Sequence, residues 1–289
     1  MIGIVCDSGT DLPEELKNKE NVRVVPLRVV LDDKSYRDGI EISEGELLSY
    51  MEEKIPKTSL PPQSEVEEAF VSLIEKGYSE IISINISSGL SGTYNLFRRA
   101  GESVMEKYPV KIAAIDSRSI SIGSGLLIYK ALQLIEKKKM AFEDIVAELK
   151  KVLKDRIGVY FAIPTLKFLK AGGRIGRVSA TVGELLKIKP VISIDEDGIY
   201  YTVAKARGMN RAVKLVMEKV MNFVFNKSIE AIAVYISGDD PATKKYAEQI
   251  KEKLNELKPK MVLTGKLSSA LLVHAGSGLV GVAVLIGDY

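Results

Sequence analysis

The chain has 289 residues, 46% of them hydrophobic, which is enough for one large or two ordinary domains. Its 41 Lys+Arg against 38 Asp+Glu leave a net charge of +3, scattered along the chain, and this argues against a nucleic-acid binder with a concentrated basic face. The single cysteine excludes an internal disulfide, and one cysteine with one histidine all but exclude a His/Cys metal site, though not an all-carboxylate one. No basic-then-apolar leader opens the chain and no apolar run nears the roughly 18 residues of a membrane span, so a soluble cytoplasmic protein is expected.

Ile2 to Cys6 reads as a first, buried strand, with Cys6 a structural thiol rather than a nucleophile. The turn Asp7-Ser8-Gly9-Thr10-Asp11 follows, and Thr10 or Asp11 is the expected N-cap of a helix opening at Pro13-Glu14-Glu15. Val22 to Leu31 supplies one or two strands interrupted by Pro26, then Asp32-Asp33 turns the chain. Ser43 with Glu46 predicts a capping box and a helix to about Lys54. Pro56, Pro61 and Pro62 bracket an extended loop that carries Thr58 and Ser59, and Ser64 is the expected cap of a helix over Glu65–Lys76.

Glu80 to Ile86 alternates and is rich in isoleucine, as a buried strand requires. It runs into Ser87-Ser88-Gly89-Leu90-Ser91-Gly92-Thr93-Tyr94, and a helix from Asn95 to Lys107 follows. A small, hydroxyl-rich turn between strand and helix suits an anion, because the first helical amides are free and glycine lets a ligand approach the backbone. The same residues also suit a plainly capped helix start, and the turn alone does not separate the two readings. A strand over Lys111–Ile115 and a long helix over Ser119–Ile135 come next; that helix has almost no polar side and is expected in a core or along an apolar cavity. Phe142–Lys154 is an amphipathic helix, and the domain boundary is placed after it, dividing 1–155 from 156–289.

The second half is patterned differently. Strand Gly158–Ile163 and a short helix over Pro164–Leu169 lead to the glycine-rich turn Gly172-Gly173-Arg174-Ile175-Gly176-Arg177. Lys189–Ile194 and Ile199–Ala206 form a hairpin around Asp197-Gly198, a strong turn signal. Helix Asn210–Phe225, strand Ala231–Ile236, helix Pro241–Leu257, strand Met261–Thr264 and strand Gly281–Ile286 complete the chain. The predicted fold is α/β in two domains: an N-terminal parallel, doubly wound α/β/α sheet and a C-terminal mixed-sheet domain. His274 stands in Val273-His274-Ala275-Gly276-Ser277-Gly278, after a short apolar helical stretch. There is no G-x-x-x-x-G-K-[ST], so no P-loop, and the turn after the first strand is Asp7-Ser8-Gly9-Thr10-Asp11, not G-x-G-x-x-G, so no dinucleotide fingerprint follows that strand. Ser91 with His274 as base is conceivable as a hydrolase or acyltransferase pair, although no motif supplies the orienting acid. A small-anion site at the strand ends is a further alternative.

Taken together, Cys6-Asp7-Ser8, Lys57-Thr58-Ser59-Leu60-Pro61, Ser87 to Tyr94, Asp116-Ser117, Gly172 to Ile175, Lys189-Pro190 and His274 to Gly278 resemble, in order, the motifs of the DegV family of fatty-acid-binding proteins. The resemblance spans essentially the whole chain. Leu60 departs from a position where the family more often has Gln, and Ser277 from one where Gly or Pro is common. The resemblance implies a carrier without chemistry or cofactor of its own, binding one long-chain fatty acid in an apolar tunnel between two domains. It implies carboxylate contacts from Thr58 and Ser91, supported by Ser59, Ser88, Gly89, Gly92 and Thr93, with His274 and Arg207 near the headgroup. It also implies a separate ATP-dependent kinase that converts the bound acid to an acyl phosphate for phospholipid synthesis, with Arg174 as a candidate contact to that partner.

Overall fold

The computed structural model describes residues 1–138, 140–178 and 188–287. Strand β1 (Ile2–Asp7) leads through a single 3-10 turn at Ser8–Thr10 to a short helix α1 (Glu14–Lys17), and β2 (Val22–Val25) then pairs parallel to β1. After Pro26 the chain leaves this sheet. Strand β3 (Arg28–Leu31) pairs with β4 (Lys34–Arg37) and, beyond helix α2 (Glu44–Glu53), with β5 (Lys57–Ser59), forming a separate three-stranded sheet. Helix α3 (Gln63–Ile74), β6 (Glu80–Asn85), α4 (Thr93–Lys107) and β7 (Lys111–Asp116) complete a four-stranded parallel sheet of order β2-β1-β6-β7.

Alternation along its strands sorts this sheet into two apolar faces. Val5 and Ile81 meet Phe70, Leu73, Leu96 and Phe97 of α3 and α4. Ile4, Cys6, Ile82 and Ile84 face the other way, onto helices α5 (Ile122–Lys138) and α6 (Phe142–Asp155). Phe142, Ile145, Leu149 and Val152 recur at helical spacing and are the buried stripe of α6.

The second sheet is built from β8 (Ile157–Ala162), helix α7 (Lys167–Ala171), β9 (Ile188–Ile194), β10 (Tyr200–Arg207), helix α8 (Met209–Val224), β11 (Ile229–Ile236), helix α9 (Pro241–Asn255), β12 (Val262–Lys266), helix α10 (Ser269–Ala275) and β13 (Val280–Ile286). Its order is β10-β9-β8-β13-β11-β12, and β11–β12 is the parallel pair in an otherwise antiparallel sheet. Every residue of β11 and β13 is buried, as expected for strands covered on both faces. One cover is α8 with α9; the other is α5, whose side chains share a single cluster with Ala231, Ala233, Ala283 and Leu285. The α5–α6 layer therefore serves both sheets, and Leu126, Leu127, Ile128 and Ala131 are fully buried in it.

The expected α/β organisation is present, with local corrections. The chain caps α3 with Pro62, not Ser64: the helix already runs at Gln63, because a proline at the junction presets the turn into it. Neither Thr10 nor Asp11 caps α1. The Thr10 hydroxyl donates to the Asp7 carbonyl, and Asp11 is buried in a left-handed conformation (φ 46°). The proline-bracketed loop contains β5, whose three residues complete a sheet edge.

The shared layer holds a buried ion pair. Lys130 Nζ of α5 lies 2.8 Å from Glu230 Oε2 of β11, with both side chains under a tenth exposed. Lys130→Met is expected to lower stability by about 3–5 kcal/mol by stranding the Glu230 charge, and Glu230→Leu in the same chain to restore most of the loss. Urea unfolding of the two variants measures both effects.

Candidate functional site

Where α5 begins, the shared layer ends and a cavity of about 440 Å³ opens between the sheets, within the range of small-molecule sites. Ile86, Leu90 and Ile120 wall it from one side, and Phe161, Ile163 and Leu279 from the other. Only the first turn of α5, at Ile122 and Gly123, reaches it; the rest of that helix is core. The polar lining comes from β5, the hydroxyl turn before α4, α10 and the glycine-rich turn after α7, with Ser121, Tyr200 and Tyr235 also on the wall.

Thr58 Oγ1 of β5 and His274 Nε2 of α10 are 2.8 Å apart, joining segments 216 residues distant in sequence. Strand β5 is held in place by pairing with β3, Val29 opposite Thr58, and this aims the threonine at α10. Ser91 Oγ and Thr93 Oγ1 are 2.7 Å apart, and Thr93 is fully buried at the start of α4. The hydroxyls serve one another more than the helix backbone: Gly92 is the cap residue, and the Thr93 amide reaches Ser91 Oγ at 3.3 Å. Ser59, Leu60 and Gly92 line the same end and are exposed, so this is where the cavity meets solvent.

Arg174 is the one charged side chain among the described residues that line the cavity. Its guanidinium donates to the carbonyls of Gly172 (2.6 Å) and Leu90 (3.3 Å), which hold the half-buried side chain against the cavity. Burial and then the nearby Arg174 charge push His274 down to about 4, which leaves the imidazole neutral at pH 7. Its Nδ1 is buried without a partner, against Gly172, where an added Cβ would lie 2.3 Å from that nitrogen. A side chain at 172 would displace the imidazole.

Not every expected site residue converges here. Thr58, Ser59, Ser91, Gly92, Thr93 and His274 line the cavity; Ser88, Gly89 and Arg207 do not. The Ser88 hydroxyl donates to Asp116, on the surface. Gly89 is where the tip of the β9–β10 hairpin docks: a Cβ there would lie 2.8 Å from the Asp197 carbonyl, and Ser87 donates to the Gly198 carbonyl beside it. Arg207 is exposed at the end of β10. The assembled contacts also disfavour a hydrolase. Ser91 is hydrogen-bonded to Thr93, His274 to Thr58, and among the described residues no carboxylate orients the imidazole from Nδ1. No group of three or more acidic, histidine or cysteine residues is placed to hold a metal ion among the described residues.

Two carboxylates support α10 from behind: Asp11, expected instead as a cap of α1, and Asp38, which sequence reasoning passed over. Asp11 Oδ1 accepts from the Ser268 amide at 2.8 Å, and Asp38 Oδ1 from the Ala270 amide at 3.1 Å. Burial raises both, Asp11 to about 7, against the hydrogen bonds they accept. No periodicity marks such residues. Tyr200, a cavity wall packed edge-on against Phe161 at 5.5 Å, was also unforeseen, since on its strand it reads as ordinary sheet core.

A family model described as an uncharacterised DegV family protein matches residues 1–286. A DegV domain-containing protein of Clostridium acetobutylicum is 36% identical over 284 residues, covering 98% of each chain. Among solved structures, a fatty-acid-binding DegV family protein from Thermus thermophilus superposes with a TM-score of 0.87 at 30% identity, covering 99% of both chains. A stearic-acid-binding protein from Eubacterium ventriosum gives 0.88 at 28% identity, covering 99% of this chain and 98% of that one.

The single histidine makes the site's electrostatics directly measurable. Its proton resonances are expected to stay flat from pH 8 to 5.5 and to move only near pH 4. Arg174→Gln raises that midpoint while leaving it below 6.5, because burial is the larger cause. A midpoint near 6.5 in the unaltered protein would refute the buried placement.

Proposed function

Because the chain belongs to the DegV family, we propose that it binds one long-chain fatty acid in this cavity, with the carboxylate at the Thr58–Ser91–His274 end. The observation that carries the reading is a largely apolar cavity between two sheets with hydroxyls and a neutral imidazole gathered at one end, and Arg174 held by backbone carbonyls in its lining. Burying an acyl tail contributes ~0.8 kcal/mol per methylene, so the tail dominates affinity. The headgroup needs only to be oriented, and neutral donors do this without burying a full countercharge.

The proton arrangement follows from Nδ1. An unpaired N–H next to a cation is worse placed than an unpaired lone pair, so we assign the hydrogen to Nε2. Nε2–H then donates to Thr58 Oγ1, and the threonine hydrogen is left to donate to the carboxylate. Ser91 supplies a second hydroxyl. Arg174 does not close a two-pronged grip on the acid while it holds the Leu90 and Gly172 carbonyls.

The second part of the proposal is presentation to a separate ATP-dependent kinase. One carboxylate oxygen attacks the terminal phosphorus of ATP, ADP leaves, and an acyl phosphate remains bound. What supports this is the opening of the polar end to solvent at Ser59, Leu60 and Gly92, and a sequence without a P-loop. Arg174 is assigned to the cavity, Arg207 to the outer surface. The division at residues 155 and 156 is retained as the proposed domain boundary, with the ligand between the two parts.

The protein purified and then denatured is expected to release long-chain fatty acid, detected by mass spectrometry of the extracted lipid. Thr58→Val and Ser91→Ala should each raise Kd about 10- to 100-fold, the worth of one hydrogen bond to a charged group. The double variant should fail as a kinase substrate. Undiminished binding and phosphorylation in that variant would refute the headgroup assignment.

A further inference from the structure

Helix α10 is both a wall of the cavity and the carrier of His274: Ala270, Leu271, His274 and Ala275 all line it. It is short and ends at Gly276 with φ 69°; the Ser268 carbonyl takes the Leu271 and Leu272 amides, but Ser268, the cap residue, makes no side-chain cap, and the Ser268 and Ala270 amides find no partner within the turn. Those amides are taken by carboxylates from the other half of the chain. Asp11 reaches Ser268 N, and Asp38 reaches Ala270 N. Each carboxylate is held in turn by a hydroxyl, Ser121 on Asp11 and Ser8 on Asp38 (2.6 Å), and the Asp11 carbonyl accepts from Tyr235 at 3.1 Å.

We propose that Asp11 and Asp38 are positioning residues that form a two-carboxylate latch on the first turn of α10, and that release of this latch moves the α10 wall outward for ligand exchange. The proposal rests on the reading of the cavity as an acyl site. It explains why two acids stand in the interior without a cation: their partners are the positive end of a helix and uncharged hydroxyls. It also explains the geometry of Asp11, a non-glycine residue held left-handed by contacts on its amide, carbonyl and both carboxylate oxygens.

The latch has a defined pH sign. The titratable and charged groups around it are Asp7 at the start of the same turn, Tyr235 on β11, Tyr200 on β10, the Lys266–Glu44 pair near the end of β12, and His274 at the far end of α10. No cation contacts either carboxylate among the described residues. Burial raises both acids in the closed state, whereas opening returns them to water and to ordinary carboxylate values. The closed state therefore holds protons more tightly than the open one, so raising the pH favours opening. One linked proton changes the opening equilibrium by at most tenfold per pH unit.

The test loads the full chain with cis-parinaric acid and follows its transfer to phosphatidylcholine vesicles by stopped flow from pH 5.5 to 8. The dissociation rate is expected to rise about fivefold or more across this range. Asp11→Asn with Asp38→Asn keeps the shape and one acceptor oxygen at each position, and should flatten the profile. A flat profile in the unaltered protein, or an unchanged slope in the double variant, overturns the latch. Hydrogen exchange on lipid-free protein gives a second readout. Protection of the Ser268 and Ala270 amides, corrected for intrinsic rates, should fall as pH rises and lose that trend in the double variant. If parinaric acid does not bind at all, the fatty-acid reading fails, and the exchange data still decide the latch.

Discussion

A helical layer shared by two sheets has no side left for water. Helix α5 lies between the four-stranded and six-stranded sheets, and from Leu126 to Leu132 every residue is buried. Lys130 within that stretch is neutralised where it touches the second sheet, and only toward its end does the helix reach water, where Glu136 pairs with Lys19. Everything functional follows from where this layer stops. Beyond the first turn of α5 the two sheets are no longer filled by a helix, and the space between them is the cavity.

The polar end of that cavity is assembled from both halves of the chain. β5 brings Thr58, the turn before α4 brings Ser91 and Thr93, and α10 brings His274. No one segment holds the site, so its geometry depends on the docking of one half against the other. Contacts at the tip of the β9–β10 hairpin add to the bonds already described in fixing that docking. The β9–β10 tip sits on Ser87 and Gly89, and Arg118 donates to the Glu196 carbonyl beside them. The serine-rich turn thus has two duties, with Ser87 and Gly89 structural and Ser91 and Thr93 facing the cavity.

Much of this architecture was legible in the residues. The alternation of Glu80–Ile86, the helical spacing of Phe142–Lys154 and the Asp197-Gly198 turn each named their element, because each is a local pattern. Pro26 marked an interruption but not its meaning: which sheet β3 joins is set by contacts with β5, more than 25 positions away. The hydroxyls and His274 were readable as a set through resemblance, and the geometry brings most of them together. Arg174 entered through the resemblance as a partner contact; its bonds to the carbonyls of Leu90 and Gly172 are long-range or backbone contacts that no spacing reveals. Asp11 and Asp38 were invisible as anchors for the same reason, since their partners are backbone amides of a helix over two hundred residues later.

Cys6 lies next to the end of β1, fully buried under the α5–α6 layer, and burial pushes its thiol pKa far up. It is the only sulfhydryl in the chain. An alkylating reagent added from outside can reach it only after the covering helices have lifted from the first sheet. Native evolution has thus left the molecule a built-in probe: the speed of Cys6 modification reports the separation of these layers, and motions confined to the far wall of the cavity leave it untouched.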